Sequence, residues 1–504
     1  MLASLALCPS VLAQAPEPPE IIWEDGPLSS YYHHGFSVEW IGDVDGDEID
    51  DYAASTAGRS RVEVYSGDSK TSIATLSGGV RHGHSLTRIG DINWDGIPEF
   101  AAGTPYVNSN MGEVRVYSGA DFSVLYTLSG QQSGDYFGWG LSSLGDTDND
   151  GIPDFLVRSY KVQGVVSVHS GVDGAKQFEI RPATAYEYIG EGLAGIHDYN
   201  GDGAADFLVG APGRGNGEVV LHSGANGAVL SSFSDASTRE FGAAVCMLGD
   251  LTGDQVPEFA IGAPATTQLG QSHAGEVRIY NGQTLNEIRQ IQGKAASDRF
   301  GQLLASGGDY NQDGYADFLV AAPGADANGL HSPGLVELYS GASFSVLGSV
   351  AGTQQHERMP SSLAGPGDAH HDLHPDYLLG NYAYGSGERG IVRMWGAPSA
   401  WLQVNNLVGG QMATLQATEC KGGSRVDFWA SLQGNGPSPT PLGLALLSPP
   451  FRDLGSATAS PSGVALLSRN VPIALSGQRV YFQAVEFRPG LSARLTTATN
   501  QVIQ

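Results

Sequence analysis

The sequence predicts an all-β protein, a seven-bladed β-propeller followed by a small C-terminal β-sandwich. An acidic nine-residue loop occurs seven times in the 504 residues, with spacings of 48, 55, 52, 52, 59 and 59 residues. Such a period is typical of a repeated supersecondary unit. Each of the first six units contains four short apolar stretches without helical periodicity, as expected for a propeller blade, and the seventh contains three. The first residues of the loops are Asp43, Asp91, Asp146, Asp198, Asp250, Asp309 and Asp368.

Each unit contains the same elements in the same order. The first strand follows a two-residue marker, such as Phe137-Gly138, and carries aliphatic residues on one face and small residues on the other, which suits a crowded central position. After the loop come an aromatic strand and a turn such as Gly210-Ala211-Pro212. The third strand alternates strictly, as in 112–119, and a less regular fourth strand follows, as in 125–128.

The loops have the oxygen pattern of a calcium site. Oxygen-bearing side chains stand at positions 1, 3, 5 and 9, and glycine at position 6 permits a positive φ. Calcium takes six to eight oxygen ligands, so we expect the carbonyl of position 7 and water to complete the shell. The predicted ligands are Asp43, Asp45, Asp47, Asp51; Asp91, Asn93, Asp95, Glu99; Asp146, Asp148, Asp150, Asp154; Asp198, Asn200, Asp202, Asp206; Asp250, Thr252, Asp254, Glu258; Asp309, Asn311, Asp313, Asp317; and Asp368, Asp372, Asp376.

Two other interpretations of the loops fit the sequence less well. An EF-hand needs a bidentate Glu at position 12 and flanking helices, but position 12 is aliphatic in every copy. Simple acidic turns would explain one or two copies, not seven with the same four positions. Six calcium sites are therefore predicted. The seventh copy has His370 at position 3 and Leu373 at position 6, which predicts an empty site.

The net charge of −27 agrees with metal binding. Of the 53 acidic residues, 23 occupy loop positions 1, 3, 5 and 9, and the 26 Lys and Arg residues show no nucleic-acid-binding footprint. The apolar segment 1–15 resembles a secretory signal with cleavage near Ala13, and it is too short to span a bilayer. We therefore expect a secreted or cell-surface protein without a transmembrane segment.

The Phe-Gly marker, the acidic loop and the Gly-Ala-Pro turn together resemble the FG-GAP repeat of integrin α-subunit propellers, and residues 34–397 resemble seven such repeats. The resemblance implies a seven-bladed propeller, calcium in the loops between first and second strands, and ligand recognition on the opposite face.

The domain boundaries follow from where the repeat pattern begins and ends. Residues 20–397 form the predicted propeller, in which segment 21–29 supplies the missing outer strand of the seventh blade. Residues 401–504 contain no acidic loop and alternate in stretches such as 479–485, which predicts the C-terminal β-sandwich.

Two functions of different classes follow. The first is a non-catalytic, calcium-binding adhesion or ligand-binding module for an extracellular protein or glycan. It would use tyrosines that precede the first strands and the longer excursions 265–274 and 324–333. The alternative is a secreted polysaccharide lyase or hydrolase. The tyrosines are Tyr31, Tyr32, Tyr136, Tyr186 and Tyr188, and the candidate catalytic residues are His34, His82, His84 and Glu191.

Overall fold

The computed structural model describes residues 19–25, 32–160, 164–182, 187–369, 374–383 and 389–396, together with strand backbones between 401 and 502. The predicted signal segment 1–15 and the residues Tyr31, Tyr186, His370 and Asp372 lie outside the described residues.

Seven four-stranded antiparallel sheets confirm the predicted propeller. The strands of the first three blades are β2 (His34–Gly42), β3 (Asp51–Thr56), β4 (Arg61–Tyr65) and β5 (Ser72–Ser77); β6 (Leu86–Gly90), β7 (Glu99–Thr104), β8 (Glu113–Tyr117) and β9 (Val124–Ser129); and β10 (Phe137–Ser143), β11 (Phe155–Ser159), β12 (Val165–His169) and β13 (Lys176–Ile180). A short 3-10 helix, Ala57–Arg59, joins β3 to β4.

The next three blades repeat this order. Their strands are β14 (Leu193–Gly195), β15 (Phe207–Ala211), β16 (Glu218–His222) and β17 (Val229–Phe233); β18 (Ala244–Gly249), β19 (Glu258–Ala263), β20 (Glu276–Tyr280) and β21 (Glu287–Gln292); and β22 (Leu303–Gly308), β23 (Asp317–Ala322), β24 (Leu335–Tyr339) and β25 (Val346–Ala351).

The seventh blade joins the two ends of the propeller segment. It contains β26 (Ser362–Gly367), β27 (Asp376–Asn381) and β28 (Ile391–Gly396), and its outer strand is β1 (Glu20–Asp25), which pairs antiparallel with β28. The first strands of neighbouring blades contact one another around the whole ring, including β26 with β2. The N-terminal strand therefore covers the edge of β28, which would otherwise be unpaired.

A pair of aromatic rings lies at the centre of each blade, stacked in blades 1 to 6 and tilted by 52° in blade 7. The residue at loop position 10 lies at the start of the buried second strand and, in blades 1 to 6, pairs in register with the last residue of the third strand, as Phe155 does with His169. Their ring centroids lie 5.8 Å apart. The position-10 rings are Tyr52, Phe100, Phe155, Phe207, Phe259, Phe318 and Tyr377, and all are buried. This repeated pair is the reason that an aromatic residue follows every acidic loop.

The chain divides into two compact units, and the propeller belongs to the larger one. The smaller unit includes Ala397–Gln504, where β29-β30-β35, β34-β31-β36-β37 and β32-β33 are paired, and β38 also pairs with β36. The arrangement of these strands as a sandwich stays a prediction. Their bounds are β29 (Trp401–Asn405), β30 (Met412–Thr418), β31 (Arg425–Ser431), β32 (Asn435–Thr440), β33 (Gly443–Leu447), β34 (Arg452–Thr458), β35 (Ala465–Asn470), β36 (Arg479–Phe487), β37 (Ala493–Leu495) and β38 (Thr499–Val502).

Candidate functional site

The propeller has two faces of different chemistry. Because the strands of each blade are antiparallel, the connections from first to second strand and from third to fourth strand lie on one face, here called the loop face. The connections from second to third strand and from one blade to the next lie on the opposite face. All seven acidic segments join first to second strands, so they lie on the loop face.

The first aspartate of each of the first six loops accepts backbone hydrogen bonds from the residues that curl around it. In the third loop, Asp146 Oδ1 accepts the amides of Asn149 at 2.7 Å and Asp150 at 3.2 Å, and Oδ2 accepts that of Gly151 at 2.9 Å. Asp150 in turn accepts the amide of Ile152 at 2.8 Å. These bonds hold the loop in a tight curl around the carboxylate of Asp146. The same role belongs to Asp43, Asp91, Asp198, Asp250 and Asp309.

The carboxylate at position 9 ties the loop to the rest of its blade. Asp154 is buried, and its oxygens accept the amides of Thr147 at 2.9 Å and of Gly171, in the turn after β12, at 3.0 Å. A Cβ at Gly171 would lie 2.1 Å from the carbonyl oxygen of Pro153, so only glycine permits this approach. The equivalent bonds of other blades are Asp51 to Gly67, Asp206 to Gly224 and Asp317 to Gly341.

Each of the first six loops has two residues with positive φ. The prediction that glycine at position 6 has a positive φ is confirmed, as at Gly151, where φ is 86°. Position 4 also has a positive φ in these loops, which we did not predict. The glycines Gly46, Gly201 and Gly253 at that position indicate it. Glu48, at position 6 of the first loop, has a φ of 70°, which is strained for a residue with a side chain.

Two loops bring three carboxylates together. Asp43, Asp45 and Asp51, and likewise Asp146, Asp148 and Asp154, present oxygens that lie within 4.8 Å of one another. The second, fourth, fifth and sixth loops have Asn or Thr at position 3 and so contain fewer acids. This donor set, rich in carboxylate oxygen and open to solvent at positions 3 and 5, fits a hard divalent cation.

The electrostatics of the loops disfavour full ionisation without a cation. Burial, reinforced by the neighbouring carboxylates, raises the pKa of Asp47 and of Asp51 to about 6. The same causes raise the pKa of Asp317 to about 6. For Asp148 burial is again the main cause, and its pKa is raised by the nearby charges of the same loop. A positive charge placed inside the loop would therefore stabilise the ionised form of these carboxylates, whereas backbone hydrogen bonds already lower the pKa of Asp202 and of Asp254.

The seventh loop already faces a positive charge from another blade. Lys70, in the turn between β4 and β5, donates from Nζ to the carbonyl of Ala369, position 2 of the seventh loop, at 3.1 Å, and also to the carbonyl of Gly67. Burial lowers the pKa of Lys70 to about 8, while the charges of Asp376 and Asp368 act against that shift. Local sequence pattern does not predict this contact, because 299 residues separate the two partners.

The opposite face carries a continuous series of aromatic rings. Tyr382 contacts Phe36 with ring centroids 5.1 Å apart, Phe36 contacts His84 at 4.9 Å, His84 contacts Trp139 at 4.4 Å, and Trp139 stacks on Tyr160 at 4.3 Å. The rings come from blades 7, 1, 2 and 3 and are half-buried or, for Tyr160, exposed. The aromatic tract is defined as Phe36, His84, Tyr106, Tyr136, Trp139, Tyr160 and Tyr382.

The tyrosines that were predicted to bind a ligand lie in surroundings that differ from one another. Tyr136 belongs to the aromatic tract, with its ring edge-on to Trp139 at a centroid distance of 6.0 Å. Tyr32 lies under the guanidinium of Arg59 at 3.6 Å, and Tyr188 is exposed. The excursions of blades 5 and 6 connect second to third strands and therefore lie on the opposite face, as predicted.

The candidate catalytic residues have separate packing partners. His34 and His82 are fully buried and bond through Nδ1 to the hydroxyls of Thr56 at 3.0 Å and Thr104 at 2.7 Å. Burial lowers the pKa of His84 to about 4, so it is a neutral ring of the aromatic tract.

Glu191, the fourth candidate catalytic residue, pairs with Arg158 at 2.8 Å. No observation on the described residues combines the four candidates into one catalytic group.

The sequence is similar to those of known proteins. Residues 300–336 match the FG-GAP repeat family. The chain is 29% identical to integrin alpha-V of Gallus gallus over 215 residues, which cover 38% of this chain and 20% of that protein. It is 30% identical to integrin alpha-PS5 of Drosophila melanogaster over 189 residues, which cover 33% of this chain and 19% of that protein. The match thus spans about a fifth of these relatives' length.

The fold also has a counterpart among solved structures. The crystal structure of BBS1N in complex with ARL6DN, soaked with lead, superposes with a TM-score of 0.50 and covers 76% of this chain and 98% of that one, at 10% identity. That likeness concerns the fold alone. The chain is thus a seven-bladed β-propeller. It carries an FG-GAP repeat and has integrin α-subunits as homologues. In the described part of the chain, no helix has the length and apolarity needed to cross a membrane.

Proposed function

We propose that this protein is a non-catalytic ligand-binding module of the adhesion type that acts outside the cell, secreted or at the cell surface. It recognises a protein or a glycan with the face opposite its acidic loops. The observation that carries the proposal is the aromatic tract, which presents half-buried rings from four blades on that face. Large amphipathic rings of this kind stack on sugars and dominate protein interfaces.

The acidic loops would hold calcium and keep the propeller rigid for this task. We propose six ions, each held by the side chains at positions 1, 3, 5 and 9, with the buried position-9 carboxylate joining the ion to the turn after the third strand. In the seventh loop the ammonium of Lys70 would take the place of an ion. The bound metal would neutralise carboxylates that otherwise repel one another.

The proposal is tested by comparing two tryptophans on opposite faces. Trp139 stacks within the aromatic tract, whereas Trp94 is exposed on the second acidic loop. The wild-type protein and the variants Trp139→Ala and Trp94→Ala are applied to a glycan array and used in pull-downs with defined extracellular matrix proteins, all in millimolar calcium. We expect one class of ligand to bind the wild type and Trp94→Ala, and binding to Trp139→Ala to fall at least about tenfold, since such aromatic anchors contribute 2 kcal/mol or more.

Two outcomes would contradict the proposal. Equal losses in both variants would show that the aromatic tract does not carry recognition, and depolymerisation of a polysaccharide by the same wild-type preparation would favour the enzyme instead.

A further inference from the structure

The excursions of blades 5 and 6 have the same backbone arrangement. Each joins a second strand to a third strand on the face opposite the acidic loops, and the two segments, 264–275 and 323–334, are equal in length. A small antiparallel bridge forms within each of them. The bridged pairs are Gln268 with Gln271 in blade 5 and Ala327 with Leu330 in blade 6.

Each excursion is also bonded to the connection that leads into the next blade. In blade 5 the amide of Ser297 donates to the carbonyl of Ser272 at 2.8 Å. In blade 6 the amide of His356 donates to the carbonyl of His331 at 2.9 Å. Ser297 and His356 both have a positive φ, 67° and 59°. The two bonded pairs therefore stand at equivalent positions of the two blades.

The side chains at these positions differ in a way that matters for metal binding. Blade 5 carries three hydroxyl groups, whereas blade 6 carries one carboxylate and two imidazoles. Imidazole is a preferred ligand of zinc and of the related divalent transition metals, and a hydroxyl is not. The corresponding residues are Thr267 and Asp326, Ser272 and His331, and Ser297 and His356.

The two imidazoles of blade 6 lie at the distance that one shared metal ion requires. The ring centroids of His331 and His356 are 5.1 Å apart, and the ring planes are inclined at 85°. Two imidazoles bound at about 2.0 to 2.1 Å to one tetrahedral zinc ion have their centroids roughly 5 Å apart. Both side chains are exposed, so an ion can reach them from solution.

Asp326 selects the ring nitrogen of His331 that can bind a metal. Its Oδ1 accepts the Nδ1–H of His331 at 2.8 Å and the amide of Ser332 at 2.7 Å. An ionised carboxylate only accepts hydrogen bonds, so the proton is on Nδ1 and the lone pair of the neutral ring is on Nε2. Metal-binding histidines commonly donate their other ring N–H to a carboxylate in this way. Asp326 is therefore a positioning residue for His331.

We propose that His331 and His356 bind a divalent transition-metal ion of the zinc type, with Asp326 orienting His331 and water completing the shell. Imidazole nitrogen suits zinc, nickel and copper, whereas calcium and magnesium take oxygen ligands. This site and the acidic loops lie on opposite faces and would select different ions. The inference is independent of the aromatic tract and of the proposed function.

The test is an isothermal titration of the full chain with ZnCl₂. The protein carries no histidine tag, and millimolar calcium is present to fill the acidic loops. We expect saturable zinc binding by the wild type that falls at least about tenfold in His331→Ser and in His356→Ser, because each variant lacks one of the two nitrogen ligands. Serine is the residue of blade 5 at both positions, so both variants should keep the backbone.

His273→Ser is the matched control. His273 is an exposed histidine in the excursion of blade 5, and its Nδ1 is bonded to the hydroxyl of Ser272 at 2.8 Å. This variant should bind zinc as the wild type does. Equal losses in His273→Ser and His331→Ser would show that zinc is held by scattered surface histidines, and that result would overturn the proposal.

Asp326→Asn tests the positioning role. The amide oxygen of asparagine can still accept the N–H of His331, but the negative charge is gone, so zinc binding should weaken about tenfold. The melting temperature in zinc-free buffer should stay unchanged, whereas a purely structural role of Asp326 would lower it and leave the zinc affinity as it was.

Transfer of the three side chains to blade 5 completes the experiment. The triple variant Thr267→Asp, Ser272→His, Ser297→His places them on the equivalent backbone, so it should bind one zinc ion more than the wild type. An unchanged stoichiometry would refute the claim that these three residues suffice for the site. Absence of zinc binding by the wild type, or equal zinc binding by the wild type and His331→Ser, would refute the site itself.

Discussion

The third and seventh acidic loops differ in the positive charge that can compensate their carboxylates. In blade 3 the carboxylates of Asp146, Asp148 and Asp154 converge in a loop that is exposed at Asp148 and buried at Asp154. In blade 7 the ammonium of Lys70 reaches into the loop from blade 1 and faces Asp368 and Asp376. We therefore propose that the third loop takes a cation from solution, whereas the seventh loop faces a cation that belongs to the chain. We infer that the propeller is dependent on calcium in six blades and independent of it in one.

Removal of calcium from the whole protein should have the largest effect. Extracellular calcium modules bind with dissociation constants of about 0.1 to 1 mM, so at roughly ten times that concentration each site contributes about 1.4 kcal/mol. Six sites contribute about 8 kcal/mol, and the melting temperature should fall by more than about 10 °C. Differential scanning calorimetry of calcium-loaded and metal-free protein measures this. Overlapping melts would contradict the metal sites, and magnesium should substitute poorly because it requires a tighter octahedral shell.

Acid should reduce this calcium effect. In the folded metal-free protein the pKa values of Asp47, Asp51 and Asp317 are about 6, above their ordinary value. Protonation therefore stabilises the metal-free folded state as the pH falls through 6, and calcium must displace those protons. The calcium-dependent increase in melting temperature should shrink between pH 7.5 and 5.5. Buried neutral histidines such as His82 destabilise both forms alike on acidification, so the difference isolates the loops.

Replacement of the internal cation should affect stability with or without calcium. Lys70→Met leaves the buried carboxyl of Asp376 without its nearby positive charge, which should lower the free energy of unfolding by about 1 to 3 kcal/mol. Lys176→Met is the control, because Lys176 and its partner Glu179 are 35% and 26% exposed and such a surface pair contributes about 0 to 1 kcal/mol. Denaturant unfolding in calcium-loaded and metal-free buffers measures both. An effect of Lys70→Met seen only with calcium would contradict the assignment of Lys70 as the cation of the seventh loop.

Removal of the ligands of one loop should reduce the number of bound calcium ions by one. The double substitution of Asp148 and Asp150 by Ala removes two predicted ligands from the third loop, so the calcium stoichiometry should fall by one and the stability by about 1.4 kcal/mol in calcium. Substitution of His370 and Asp372, in the seventh loop, should change neither quantity. Equal losses from the two pairs in a calcium titration would show that the two loops do not differ as described.

Relief of backbone strain should give the smallest effect. Glu48 occupies a position with a φ of 70° that is glycine in four other loops. Glu48→Gly should therefore raise the free energy of unfolding by up to about 1 kcal/mol, and Gly151→Glu should lower it by a similar amount. Thermal melts measure the stability of both variants. Changes of the same sign would contradict the conclusion that the backbone is strained at Glu48.

The structural features that recur in every blade could be predicted from the sequence, and the features that occur once could not. The aromatic residue at position 10 is buried in every blade, and the alternation of the third strands predicts their register, so the propeller follows from local pattern alone. The convergence of Asp43, Asp45 and Asp51 also follows from spacing within one loop. The contact of Lys70 with the seventh loop depends on ring closure across 299 residues, which no local pattern encodes.

The closure of the ring also sets an order of events during synthesis. The strand β1 has no partner until β28 has been made, and Ile391 follows Asp25 by 366 residues. At translation rates of about 5 to 20 residues per second, the first strand waits roughly 20 to 70 s while the ribosome completes the other blades. During that interval the nascent chain is an open arc with an unpaired strand at one end. A ribosome stalled before codon 391 should therefore hold a chain that is susceptible to protease at Glu20–Asp25, and release past Gly396 should remove that susceptibility.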